Sequence, residues 1–279
     1  MRAVVSAITL IVAACQQNGQ QEAKPRPTPA VFTYEGADYS SEADKVAHGE
    51  RLTHVLACVG CHGSDLRGKN MADRPEDGAM YSPNVTLLTA RYTDAEFERL
   101  FREGVPKDGR EFWFMQVESY QSLSDADLSA LIAYLRTLKP GGEVRPAFKI
   151  NRAEQKDVDQ GVLGDAKAQI VKYRKSQPVD LGPRHAWGRY LVRTTCTACH
   201  NNALQGWPNF TPNLDIAGTY SKAELTQLLT NGKGKAGNDV GEMSGIARAY
   251  FAHLTPRERD AIVDYIIARA NRPEPAARS

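Results

Sequence analysis

The sequence has little net charge, no long apolar run and few cysteines. Its 35 basic and 33 acidic side chains nearly cancel to a formal net charge of +2, which removes the electrostatic case for a nucleic-acid partner. The apolar run from Ala3 to Ala14 covers 12 residues and is too short to cross a bilayer as a helix. Cysteine occupies five positions, four of them in two C-x-x-C pairs, so only Cys15 is left over. Methionine is equally sparse at five, which narrows the choice of soft sulfur ligands.

One motif occurs twice. Cys58-Val59-Gly60-Cys61-His62 reappears as Cys196-Thr197-Ala198-Cys199-His200. C-x-x-C-H is the signature of covalent c-type haem attachment, in which two thiols add to the haem vinyl groups and the adjacent histidine binds iron. Two copies predict two c-type haems. Cys58, Cys61, Cys196 and Cys199 hold them covalently, and His62 and His200 each take one axial position. The competing reading is a zinc ribbon closed by the two cysteine pairs. A histidine directly after both pairs, the long separation of the pairs and the export-like N-terminus oppose it.

With 42% hydrophobic and 24% charged residues, the 279-residue chain has globular composition and length enough for two modest domains. Residues 1–14 read as a signal peptide, and 15–40 as Cys15 followed by a flexible tether containing Lys24-Pro25-Arg26-Pro27-Thr28-Pro29. A first domain over 41–140, a connector over 141–184 and a second domain with a short tail over 185–279 follow. Val12-Ala13-Ala14-Cys15 resembles the lipobox of bacterial lipoproteins. That resemblance implies cleavage before Cys15, lipidation of its thiol and a periplasm-facing, membrane-anchored protein, with Gln16 leaning toward the outer membrane. An ordinary secretory signal with a coincidental cysteine is the alternative.

Helix signals recur at matching places in the two halves. Ser41 with Asp44 opens a helix running through Leu52 and Val55 toward the first motif. Thr93 to Glu96 is a capping box, followed by Phe97, Leu100 and Phe101 and a stop at Gly104. Ser124 opens a third helix with Leu128, Leu131, Ile132, Leu135 and Leu138 at helical spacing. In the second half, Gly188-Arg189-Tyr190-Leu191 matches Gly49-Glu50-Arg51-Leu52, Leu204-Gln205-Gly206 matches Leu66-Arg67-Gly68, and Pro212-Asn213 matches Pro83-Asn84. Ser221 to Glu224 and Gly232 match the second helix, and Leu254-Thr255 matches Leu123-Ser124. The expected fold is all-α, a duplicated helical domain with one haem in each copy. A short helix near Asp165–Lys175 is expected in the otherwise apolar-poor connector.

The repeat also selects the second iron ligands. Met243 is the one methionine of the second domain and stands 11 residues after Gly232; of Met71, Met80 and Met115, only Met115 stands 11 residues after Gly104. Thioether ligation stabilises ferrous iron and suits electron transfer. Core packing of the methionines, and ligation by His48, His54 or His253, are the competing readings. Pro83 and Pro212 offer carbonyls to the second ring nitrogens of His62 and His200. Gly49 beside Tyr134 and Gly188 beside Tyr265 permit close crossing of the first and last helices. Residues 41–140 carry 12 basic and 16 acidic side chains, net −4, whereas 141–184 and 185–279 are each net +3. The halves therefore offer differently charged faces, with plain solvation the bland explanation.

Over 45–140 and 185–270 the sequence resembles tandem class I cytochrome c domains, and is similar to the cytochrome c subunits of bacterial periplasmic dehydrogenases. The likeness rests on Pro83-Asn84-Val85-Thr86, Gly104-Val105-Pro106-Lys107-Asp108-Gly109-Arg110, and Leu123 to Leu128 continuing through Tyr134-Leu135-Arg136. It implies a periplasmic dihaem c-type cytochrome that passes single electrons from a redox donor, such as a dehydrogenase, to a respiratory acceptor. Those subunits usually carry three haems and follow the ligand methionine with proline. Here there are two motifs, and Gln116 and Ser244 stand in those places. The alternative function is a dihaem enzyme, a peroxidase or an oxidase of inorganic sulfur, with one open or unusually ligated haem.

Overall fold

The computed structural model describes residues 31–72, 80–111, 113–146, 150, 152–161 and 163–272. The signal segment 1–14, Cys15 and the tether up to residue 30 lie outside them. The described chain is helical, with isolated bridges such as Asn70 to Tyr81 in place of strands. The first half contains α1 (Glu42–Val55), α2 (Cys58–His62), α3 (Val85–Leu88), α4 (Asp94–Glu103), α5 (Val117–Tyr120) and α6 (Asp125–Thr137). The connector contributes α7 (Arg152–Asp159) and α8 (Ala166–Lys175). The second half contains α9 (Ala186–Thr195), α10 (Thr197–His200), α11 (Lys222–Asn231), α12 (Glu242–Ala249) and α13 (Pro256–Ala270), with short 3-10 turns at Pro183–His185, Leu214–Thr219 and Phe251–His253.

The caps read from the sequence set these boundaries. Thr93, Ser221 and Thr255 form reciprocal capping boxes with Glu96, Glu224 and Glu258, while Ser41 and Ser124 accept from the amides of Asp44 and Asp127. Gly104 and Gly232 end α4 and α11 in the left-handed region, at φ 65° and 76°. The first and last helices of each half touch backbone to backbone. A Cβ on Gly49 would stand 1.9 Å from the Ala130 carbonyl oxygen, and one on Gly188 would stand 2.2 Å from that of Ala261. Glycine is the residue that allows this approach.

The halves are joined by a reciprocal exchange. Arg51 on α1 donates through Nη1 and Nη2 to the Glu258 carboxylate on α13, at 2.9 and 3.0 Å. Its counterpart Tyr190 on α9 donates through its hydroxyl to Asp127 on α6, at 2.6 Å. Each acid stands third in its helix, fully buried, and receives a partner from the opposite half. Such reciprocity marks a twofold, isologous contact, here within one chain.

Residues 31–40, expected to be the end of the tether, are instead packed into this contact from Tyr34 onward. Tyr34 is fully buried. Its amide donates to Asp127 at 3.1 Å, and the next amide, of Glu35, donates to Glu258 at 2.9 Å. The Tyr34 hydroxyl pairs with Thr194 at 2.7 Å, and the Trp187 indole donates to the Thr33 carbonyl at 2.8 Å. A buried aromatic ring with satisfied polar groups holds this stretch against its local lack of apolar residues.

The connector is built into the core as well. Asn84 donates to the carbonyls of Gly141 and Glu143, at 2.8 and 3.1 Å, fixing its start. Helix α8, capped by Asp165, buries Ala166, Ile170 and Tyr173 against α4 and α5. The Tyr173 hydroxyl then donates to the Thr197 carbonyl inside the second motif, at 3.2 Å. No helix among the described residues is long and apolar enough to cross a membrane.

Candidate functional site

The first motif forms one short helix, α2, immediately after α1. The loop that follows is held by a set of contacts that the second half reproduces. Gly68 donates to the His62 carbonyl at 2.8 Å and Gly206 to that of His200 at 2.9 Å. Ser82 donates to the Cys61 carbonyl and Thr211 to that of Cys199, each at 2.6 Å. Leu66 and Leu204, at φ 56° and 59°, turn the chain at equivalent places with their side chains buried. The loops thereby bring Pro83 and Pro212 opposite the histidine rings.

His62 Nδ1 lies 2.9 Å from the Pro83 carbonyl oxygen, and His200 Nδ1 lies 2.9 Å from that of Pro212. A carbonyl is acceptor only, so each Nδ1 carries the proton and each Nε2 keeps a lone pair. Burial pushes both imidazoles below their ordinary pKa, with Arg269 adding to the effect at His200. Both rings are therefore neutral and can act as metal ligands at neutral pH. Burial likewise pushes Cys58 up to about 12 and Cys196 up to about 11, and raises Cys61 and Cys199. None of the four is paired in a disulfide. Beyond burial, Cys199 is raised by the charge of Cys61.

A cavity of about 640 Å3 opens beside α2. Cys58, Cys61, His62 and Met115 all line it, against apolar side chains that include Phe97, Leu100 and Leu131. Its wall thus combines two thiols, an imidazole nitrogen, a thioether sulfur and a dry surface, the donor set an iron porphyrin needs for covalent attachment and axial ligation. Arg145 also lines the cavity, and its buried Nε has no hydrogen-bond partner among the described residues. Its Nη2 donates to the Gly68 carbonyl at 3.4 Å and its Nη1 stands 3.9 Å from Glu143, so Nε is the donor left for a group that carries carboxylates, as haem does.

Met71 also lines this cavity, whereas Met80 does not. Of the competing histidines, His48 is bonded to Asp127 at 2.8 Å, and His54 stacks on His253 with ring centroids 4.3 Å apart; none of the three lines the cavity. Met243 lies outside it. The sequence places Met243 in a loop, but the structure puts it in the first turn of α12, partly buried against the core. Two cavity residues had no signal in the sequence: Ile246 and Tyr250, at the far end of α12, reach the first cavity from the second half. Only the contact between halves reveals them.

One carboxyl, on α5, is shifted toward its neutral form by its surroundings. Burial pushes Glu118 on α5 up to about 7. Its native state holds a proton that the unfolded chain has released between the ordinary glutamate range and pH 7, so stability falls as pH rises through that window. Glu118→Gln is expected to match the parent near pH 4 and to exceed it at pH 8, read as the midpoint of urea unfolding. A parent advantage at pH 8 contradicts the assignment.

Comparison with known proteins finds that the cytochrome c family model matches residues 46–139 and 186–268. A nicotinate dehydrogenase subunit from Pseudomonas putida is 26% identical over 272 residues, covering 85% of this chain and 22% of that protein. The fructose dehydrogenase cytochrome subunit of Gluconobacter japonicus is 26% identical over 277 residues, covering 86% and 54%. The gluconate 2-dehydrogenase cytochrome c subunit of Pantoea cypripedii is 26% identical over 274 residues, covering 82% and 60%. The chain therefore spans between about a fifth and three fifths of the length of these relatives.

Proposed function

This chain belongs to the cytochrome c family, whose members bind haem c covalently, and from that premise we propose that it carries two haems and relays single electrons from a dehydrogenase to a respiratory acceptor. The observation that carries the reading is the duplicated site: two C-x-x-C-H helices, each with its histidine held by a proline carbonyl at 2.9 Å. When bound, the haem supplies the one-electron chemistry. The protein's part is to hold and tune. Cys58, Cys61, Cys196 and Cys199 attach the groups, and His62 and His200 present Nε2 to iron while Pro83 and Pro212 fix the ring orientation. Met115 and Met243 would supply sulfur ligands, and the apolar wall around Phe97 and Leu131 would limit water. Arg145 balances carboxylate charge.

The same reading places the protein on the periplasmic side, anchored by a lipid on Cys15, with a dehydrogenase as donor. The N-terminal sequence supports the location, and the similarity to dehydrogenase subunits supports the donor. The intact mass of protein purified from its membrane fraction is expected to correspond to two haems and a lipidated Cys15 at the N-terminus. One haem per chain, or an unmodified N-terminus, overturns the matching half of the reading. Met115→Ala and Met243→Ala are each expected to remove part of the weak long-wavelength band of thioether-ligated ferric haem and to open one site to carbon monoxide. Strong carbon monoxide binding by the reduced parent favours the dihaem enzyme instead, because a catalyst keeps a site open.

A further inference from the structure

Helix α12 belongs to the second half, yet its C-terminal end forms part of the first cavity. Met243 and Ile246 stand three residues apart in α12, and Tyr250 caps its C-terminus with its amide donating to the Ile246 carbonyl at 2.9 Å. Ile246 and Tyr250 line the cavity beside Cys61. Tyr250 is half-buried, and its hydroxyl occupies the space beside Gly60: a Cβ there would lie 2.2 Å from the phenol oxygen. The glycine between the two cysteines of the first motif is what lets the ring approach, and the contact is one of shape.

We propose that Tyr250 is a positioning residue of the first haem site, contributed by the second half, and that α12 couples this site to the one served by Met243. The inference rests on the two-haem reading. The Tyr250 ring lines the cavity next to the exposed Cys61 and takes up space that water would otherwise fill. Ferric haem carries one more positive charge than ferrous haem, so shielding from water disfavours the ferric form and raises the potential. Met243 stands in the first turn of α12 and Tyr250 at its C-cap, seven residues on and tied to the helix by the Ile246 carbonyl. A change in the seating of Met243 therefore moves Tyr250 against Gly60.

The test is a redox titration of the purified two-haem protein that resolves both midpoints, in the parent, Tyr250→Phe, Tyr250→Ala, Met243→Ala and the double variant. Tyr250→Phe keeps the ring and is expected to leave the first midpoint near the parent value. Tyr250→Ala is expected to shift the first site about tenfold toward the ferric form, about 59 mV, with the second midpoint unmoved. Met243→Ala is expected to shift the first midpoint as well, and by less when Tyr250 is already alanine, which is the signature of coupling. An unmoved first midpoint in Tyr250→Ala, equal shifts at both sites, or strict additivity in the double variant overturns the proposal. Should Tyr250→Ala fail to fold, Gly60→Ala displaces the same ring from the other side, and an unmoved first midpoint there overturns it equally. A mass showing one haem defeats the two-haem reading itself; two haems with an unmoved first midpoint defeat only the role of Tyr250.

Discussion

Glu258→Ala is expected to lower the free energy of unfolding by about 3–5 kcal/mol, the range for breaking a buried ion pair from one side. Glu258 is fully buried and receives two bonds from Arg51, one from the Glu35 amide and one from the Thr255 amide. Alanine leaves the Glu35 and Thr255 amides without an acceptor at the contact between the halves and takes from Arg51 its charged partner, leaving it only the carbonyls of Glu35 and His253. The cost comes from desolvated donors more than from lost attraction. Replacing both partners, Glu258→Leu with Arg51→Met, is therefore expected to recover most of the loss. Urea unfolding of the haem-loaded protein reads both. A loss under about 1 kcal/mol in Glu258→Ala, the range of an exposed pair, would show that the contact is wet and that the halves are joined some other way.

The second large effect reverses sign with position. Glycine to alanine favours a helix interior by about 1 kcal/mol when nothing else changes. At Gly49 the new methyl would stand 1.9 Å from the Ala130 carbonyl oxygen and 2.9 Å from the Tyr134 Cβ. Backbone cannot yield as a flexible side chain can, so α1 and α6 must separate, at an overpacking cost of about 1–3 kcal/mol or more. Gly49→Ala is expected to be destabilising on balance. Gly245 lies inside α12 with nothing within 4 Å of the added carbon, and Gly245→Ala is expected to stabilise by about 0.5–1 kcal/mol. Thermal unfolding of the two variants under one buffer compares them directly. If both move the midpoint the same way, the helix crossing is looser than its geometry.

The features legible in the sequence are those that depend on neighbours in the chain. The capping boxes at Thr93, Ser221 and Thr255, the glycine stops at Gly104 and Gly232, and the helix at 166–175 each arise from residues a few positions apart. The approach of Pro83 to His62 and of Pro212 to His200 was legible for another reason, since a Pro-Asn pair follows the motif in both halves, 21 residues after His62 and 12 after His200. The exchange between halves leaves no such trace. Arg51 with Glu258 and Tyr190 with Asp127 do the same work with different chemistry, so neither pair advertises the other. The reading of Met243 in a loop failed because Gly245 weakens the local helix signal, which tertiary packing then overrides. The burial of Tyr34 left no trace because the stretch from Val31 to Tyr39 is too short and too irregular to carry a helix or strand period.

The stretch at Tyr34 and Glu35 has a further consequence. These two consecutive amides serve the two buried acids, one each, so the peptide lies where the twofold relation between the halves would run. An object on a twofold axis that is not itself symmetric can be present only once. Two separate copies of a half-length chain would bring two such peptides to one place, and one would be left over. A single continuous chain brings one, and its direction through the axis makes the two halves, alike in fold, distinguishable to anything that approaches them.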